Sequence, residues 1–333
     1  GARGAGRRAR LSPSPPRVVR ALAPAKINLT LELRGRRADG YHELATHLLA
    51  LELADELRVA TRPGEGVALE VSGLGAGGEV PGDEENLAWR AAAVALAAAR
   101  EAGLARGVGL TVELVKRIPA QAGLGGASSD AAAVLAASAA VLGLDLAGAE
   151  RAEWAREALA ELGSDCPFFL EAAATGLALC EGRGERVRPV AAESVGDWSV
   201  VLVTPEPGCP TGLVYAALEA AGCDGEPDAA TQALPAGPAA RARGALANDL
   251  EPAALRAVPA LGAWRELLDG AGAAHFRLAG SGSSFFGLYD GAGEARAALA
   301  GVEAAAATAG LALRAALVTR PARHGVRLTS EET

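Results

Sequence analysis

The segment Pro119-Ala120-Gln121-Ala122-Gly123-Leu124-Gly125-Gly126-Ala127-Ser128-Ser129-Asp130 follows an alternating stretch, 108–115, and leads into the apolar, alanine-rich stretch 131–142. Val and Leu alternating with Gly, Thr and Glu predict a half-buried strand, and the apolar run predicts a helix. The order is therefore strand, glycine loop, helix. Glycines in such a loop let the backbone approach a ligand and turn successive N–H groups toward it, and the helix start adds unsatisfied N–H groups and the positive end of its dipole. The loop suits a di- or triphosphate, although a tight strand-to-helix connection with Ser128 or Ser129 as N-cap reads the same way. There is no Gly-Lys-Ser/Thr ending and no G-x-G-x-x-G followed by an acid about 20 residues on, so two common phosphate loops are set aside.

Outward from this loop, strands are expected at 18–23, 29–33, 55–60 and 67–71, with a glycine- and proline-rich loop at 72–82 and a helix over 84–102 ending at Gly103. After the glycine loop come a helix over about 148–162 and a hairpin at 176–190 around Gly182-Arg183-Gly184. Polar residues 191–197 mark a boundary. Beyond it are expected a strand (198–203), a helix from Thr211, a mobile loop (222–237), two helices, strands at 275–278 and 284–289 around Gly280-Ser281-Gly282-Ser283, a helix and a last strand (311–318). The domains expected are a disordered basic arm (1–17), an N-terminal domain (18–194), a C-terminal domain (195–322) and a flexible tail (323–333).

Composition narrows the partners. At 333 residues the chain exceeds the usual limit of one core. The net charge is −8, yet residues 1–20 hold six Arg and no acid, so the remainder carries −14. A body that acidic repels a phosphate backbone, and with 4% aromatic residues it offers few stacking platforms, so no nucleic-acid partner is expected. No apolar run reaches the roughly 18 residues that span a bilayer, so no membrane partner is expected either. The four cysteines form no C-x-x-C pair, which argues against a zinc site or a disulfide framework and for a reduced, cytoplasmic setting.

Four smaller clusters carry potential chemistry. Lys26, in Pro24-Ala25-Lys26-Ile27-Asn28, stands among apolar neighbours where it could hold an anion, or be an ordinary surface lysine. Asp165, in Gly163-Ser164-Asp165-Cys166-Pro167, is a carboxylate at a turn that could equally cap the backbone. Gly280-Ser281-Gly282 could present N–H groups to phosphate or be a hairpin turn. Gly40-Tyr41-His42 could display a ring or simply pack.

Taken in this order, the segments 24–29, 119–132 and 278–284 resemble the three motifs of the GHMP kinase superfamily. Segments 36–42, 162–169 and 248–251 resemble a branch of it whose acceptor carries a cytosine base. The resemblance implies an α+β, two-domain fold: an N-terminal α/β domain of ribosomal-protein-like topology, a ferredoxin-like C-terminal domain, and an active site in the cleft between them. It implies ATP and Mg2+ as cofactors and a small cytidylyl substrate whose hydroxyl is phosphorylated.

Residue by residue, Lys26 and Asp165 match the catalytic pair. Pro119, Ala122, Gly123, Leu124, Gly125, Gly126, Ala127, Ser128 and Ser129 match the ATP loop, with Asn86 and Lys116 on the adenosine side. Asn28, Tyr41, His42, Tyr215, Gly280, Ser281 and Gly282 match substrate-site positions, and Ser128 is the candidate to approach the metal. Ala122 and Ala127 stand where many loops of the superfamily carry glycine, which is harmless if both keep negative φ. The rivals are another GHMP kinase, acting on homoserine, mevalonate or a sugar, and a nucleotide-binding module without turnover.

Overall fold

The computed structural model describes residues 18–76, 79–222, 225, 232–273 and 275–330. The expected basic arm and half of the expected loop at 222–237 lie outside the described residues.

The first lobe contains β1 (Val18–Arg36), β2 (His42–Pro63), β3 (Val67–Gly73), α1 (Leu87–Glu101), β4 (Val108–Lys116), α2 (Gly126–Leu142), α3 (Ala149–Leu162), α4 (Cys166–Glu171), β5 (Leu177–Gly182) and β6 (Arg186–Pro189). A 3-10 turn at Ala192–Ser194 leads to the second lobe. There follow β7 (Ser199–Pro205), α5 (Thr211–Ala220), α6 (Ala239–Arg243), β8 (Ala247–Asn248), α7 (Glu251–Ala257), α8 (Ala260–Gly270), β9 (Arg277–Leu278), β10 (Phe285–Tyr289), α9 (Ala292–Ala309), β11 (Leu313–Thr319) and β12 (Arg327–Ser330).

The larger sheet runs β12-β1-β2-β4-β3, with β5 and β6 extending from β2 and β8 beside β1. The smaller runs β11-β7-β10-β9, entirely antiparallel. With helices between β7 and β9 and between β10 and β11, this is the ferredoxin-like order expected of the second domain.

Two long strands replace the short ones expected. β1 is continuous from 18 to 36 because bulges between Pro24 and Lys26 and between Asn28 and Thr30 absorb the proline that suggested a break. β2 extends through 42–54, where buried Leu48, Leu49, Ala50 and Leu51 make a continuous apolar run that periodicity alone does not distinguish from helix.

The expected flexible tail is the clearest correction. β12 pairs with β1 at residues 19–22, closing an edge that would otherwise be open, and Ala322 and Val326 join the first lobe's core. The described part of the chain thus ends in the sheet where it began.

α2 positions the site. Nearly every residue from Ser129 to Leu142 is buried, as expected of a helix that is apolar all round. α2 packs against α1, whose buried alanines (Ala88, Ala91, Ala92, Ala99) share its core and are small enough for close approach. A separate apolar cluster joins the lobes, combining Ile27, Leu29, Leu49 and Leu124 with Trp198, Val200, Leu202, Phe286 and Leu288.

Candidate active site

The glycine loop is fixed from both sides. The Lys26 N–H donates to Leu124 O (2.9 Å), tying the bulged part of β1 to the loop. From the second lobe, the Ser284 N–H donates to Ala122 O (3.0 Å), and the N–H groups of Cys209 and Ser283 donate to Gln121 O (3.0 and 3.3 Å). Arg314 reaches Ala120 O and Glu206 O.

Gln121 accepts those two bonds from a left-handed backbone (φ +50°), the one non-glycine at positive φ among the described residues. Ala122 and Ala127 therefore keep negative φ. Gly123, at φ +73°, has no such freedom to change: a Cβ there would lie 1.9 Å from Ala279 O.

Three motifs meet at the Lys26 ammonium. It lies 3.2 Å from Asp165 Oδ2 and donates to Asn28 Oδ1 at 2.9 Å. Asn28 is oriented in turn: its Nδ2 donates to Thr46 Oγ1 (2.8 Å), which donates to Thr30 O (2.6 Å). Gly125 lets the Lys26 side chain pass, since a Cβ would sit 2.8 Å from its Cγ; one on Gly280 would sit 3.1 Å from its Nζ. Asn248 holds this last turn by donating to Leu278 O and Gly280 O, both at 2.8 Å.

A cleft of about 740 Å³ opens over this pair, within the usual range for a small-molecule site. Its wall includes Lys26, Asn28, Tyr41, His42, Asn86, Lys116, Pro119, Ala122 to Ser128, Asp165, Tyr215, Gly280 and Ser281. Ser129 and Gly282, both expected to contact ligand, do not line it. Ser129 stands one helical residue beyond Ser128 and turns into the core, where its hydroxyl has no partner among the described residues. Gly282 closes the turn through its N–H to Ala279 O.

Several expected residues have structural partners. Asn86 caps α1, accepting from the Ala88 N–H and donating to Pro81 O. Lys116 lies at the back of the cleft between buried Asp55 and Asp130, 2.6 Å from Asp130 Oδ2. Asp55 also accepts from the N–H groups of Arg117 and Ile118. Burial pushes the Asp130 carboxyl up to about 8 against the pull of Lys116, and Asp55 adds to the rise. Burial lowers the Lys116 value, but the two carboxylates outweigh it and the net shift is upward. Ser128 faces the cleft in the first turn of α2, and burial raises the Cys166 thiol to about 12, partly offset by a hydrogen bond with Ser128.

The aromatic end differs in detail from a simple sandwich. Tyr215 lies against His42 (ring centroids 5.4 Å apart, planes tilted by 34°), and burial raises its hydroxyl to about 12. Tyr41 is 54% exposed and carries the Arg183 guanidinium 4.8 Å over its ring. Gln121, Arg183 and the Asp55–Asp130 pair were not anticipated as parts of the site. Arg183 had a signal, its flanking glycines; the others depend on contacts between residues far apart in sequence.

The model of the GHMP kinases N terminal domain matches residues 86–172, and that of GHMP kinases C terminal matches 230–308. With the fold, these matches place the chain in the GHMP class of small-molecule kinases.

A 4-diphosphocytidyl-2-C-methyl-D-erythritol kinase of Pelotomaculum thermopropionicum is 38% identical over 272 residues, 81% of this chain and 88% of the relative. One of Salinispora tropica is 41% identical over 271 residues, covering 79% and 81%. The crystal structure of a 4-(cytidine 5'-diphospho)-2C-methyl-D-erythritol kinase superposes with a TM-score of 0.67 at 36% identity, covering 91% of this chain and 99% of that one. The chain belongs to the 4-diphosphocytidyl-2-C-methyl-D-erythritol kinase family.

Proposed function

We propose that the protein transfers the γ-phosphoryl group of ATP to the 2-hydroxyl of 4-diphosphocytidyl-2-C-methyl-D-erythritol, a step of the methylerythritol phosphate route to isoprenoid precursors. The observation that carries this reading is the Lys26–Asp165 pair, 3.2 Å apart beneath the glycine loop and in the same cleft as Tyr41, His42 and Tyr215. Homoserine, mevalonate and simple sugars have no base for such an aromatic end.

Phosphoryl transfer demands alignment of the acceptor oxygen with phosphorus and neutralisation of equatorial charge more than covalent chemistry. The N–H groups of residues 123–128 and the start of α2 cradle the phosphates. Asp165 accepts the proton of the acceptor hydroxyl, and Lys26, paired with it, faces the moving phosphoryl. Asn28, held through Thr46, fixes the direction of the ammonium.

Among the described residues no three His, Cys, Asp or Glu side chains gather as a metal cage, so the donor set fits a magnesium ion brought by the nucleotide, with the Ser128 hydroxyl nearby. Bound there, the ion supplies charge neutralisation to the phosphates. A cytoplasmic location accords with this chemistry, since ATP is its donor. Coupled ADP release with cytidylyl-methylerythritol, homoserine, mevalonate and galactose tests the reading. Turnover restricted to the cytidylyl acceptor is expected; preference for another acceptor, or none, overturns it.

A further inference from the structure

The cleft is short of cations for the ligand assigned to it. Its wall carries five acids, Glu79, Glu85, Asp130, Asp165 and Glu219, against Lys26, Lys116 and Arg183. Lys26 is held by Asp165 and Asn28, and Lys116 is enclosed by two carboxylates. An acceptor with its base at the aromatic end and its hydroxyl at Asp165 must place its diphosphate, bearing about two negative charges, in between.

Arg183 lines the same cleft, and its hairpin touches both ends. It forms the tip of the β5–β6 hairpin between Gly182 (φ +78°) and Gly184 (φ +118°). Gly184 abuts the catalytic carboxylate, since a Cβ there would stand 3.4 Å from Asp165 Oδ1. The guanidinium lies 4.8 Å over the exposed ring of Tyr41. Its engagements are weak: Nε is 3.9 Å from Glu185 Oε2, Nη2 makes a long 3.4 Å bond to Ala160 O, and Nη1 has no hydrogen-bond partner among the described residues. Glu185 is itself occupied by the Arg183 backbone N–H at 2.6 Å. A planar fork on a short arm, stacked on an aromatic ring with donors to spare, is suited to two adjacent phosphates.

We propose that Arg183 binds the diphosphate of the acceptor and so selects a hydroxyl linked to a nucleoside diphosphate over one without it. This rests on the cytidylyl reading of the same cleft, and the experiment separates the two. Turnover of the cytidylyl acceptor by the unmodified enzyme is measured first; its absence sinks that reading and this proposal with it.

Cytidine, CMP and CDP are then compared as competitive inhibitors against the acceptor at saturating ATP, in the unmodified protein, Arg183→Gln and Arg183→Lys. Charge-assisted bonds of this kind correspond to roughly ten- to a hundred-fold in affinity. CDP should therefore bind the unmodified enzyme more tightly than cytidine by about that factor. In Arg183→Gln the CDP advantage should shrink to about threefold or less and the acceptor KM should rise, with cytidine binding and the KM for ATP little changed; Arg183→Lys should recover part of the advantage. Retention of the full CDP advantage in Arg183→Gln overturns the proposal. So does an equal loss of cytidine and CDP binding, which would make Arg183 a support for Tyr41.

Discussion

Asp165→Asn separates basicity from shape. The amide oxygen of Asn can still accept from Lys26 Nζ, and the bond from Lys26 to Asn28 at 2.9 Å remains, so the ammonium and the loop above it should hold their places. A positioned general base accounts for roughly 10²–10⁴ in rate, or about 2.7–5.5 kcal/mol of barrier. A loose transition state calls for late proton transfer, so a loss of about 10²–10³ in kcat is expected.

The effect on stability should be much smaller. Two unit charges 3.2 Å apart attract by about 5 kcal/mol at an effective dielectric constant of ~20, but the Asp165 side chain is 31% exposed, and screening reduces its net worth to about 1 kcal/mol or less. That corresponds to a fall in Tm of at most about 4 °C. Steady-state ADP release and thermal unfolding on one preparation check both numbers. Combined with Lys26→Met, the losses should be less than additive, because either change frees the same hydroxyl. A kcat within about threefold of normal in folded Asp165→Asn would refute the base assignment and leave alignment by Lys26 and the glycine loop as the source of rate.

Gly123→Ala should raise the KM for ATP by about tenfold and lower Tm by several degrees, because the methyl would meet Ala279 O at 1.9 Å in a backbone already at φ +73°; unchanged values in both assays would show that the loop has slack. Lys116→Met should cost about 3–5 kcal/mol in urea unfolding, since it leaves the buried Asp55 carboxylate without its cation; a loss below about 1 kcal/mol would mean water reaches it. Asp130→Asn should flatten the pH dependence of stability. With the folded Asp130 value raised from 3.8 to about 8, the native state holds a proton that the unfolded chain gives up, so this contribution is complete below about pH 4 and is lost as pH rises toward about 8. Urea midpoints at pH 5, 6.5 and 8 should fall more steeply in the unmodified protein than in Asp130→Asn, and parallel curves would contradict the assignment.

What could be read in the residues follows the range of the interactions involved. The glycine loop and α2 were legible because their chemistry is local: positive-φ glycines, a helix start and an apolar run are all properties of neighbours in sequence. Lys26 and Asp165 stood out only through motif resemblance, since 3.2 Å between residues 139 positions apart is a property of the folded chain. The tail was misread because four residues of β12 gain meaning only from the open edge of β1 beside them.

Lys116 illustrates the same limit from the other side. The resemblance puts Lys116 on the adenosine side of the ATP site, and the cleft wall does include it. The carboxylates that enclose it come from β2 and α2, and neither element's periodicity marks Asp55 or Asp130 as buried. A charge that folding already neutralises is a poor counterion for a second anion. On the reading proposed above, the phosphates of the two ligands fall instead to the N–H groups of the glycine loop and to the guanidinium of Arg183, with Lys26, already paired with Asp165 and Asn28, facing the moving phosphoryl.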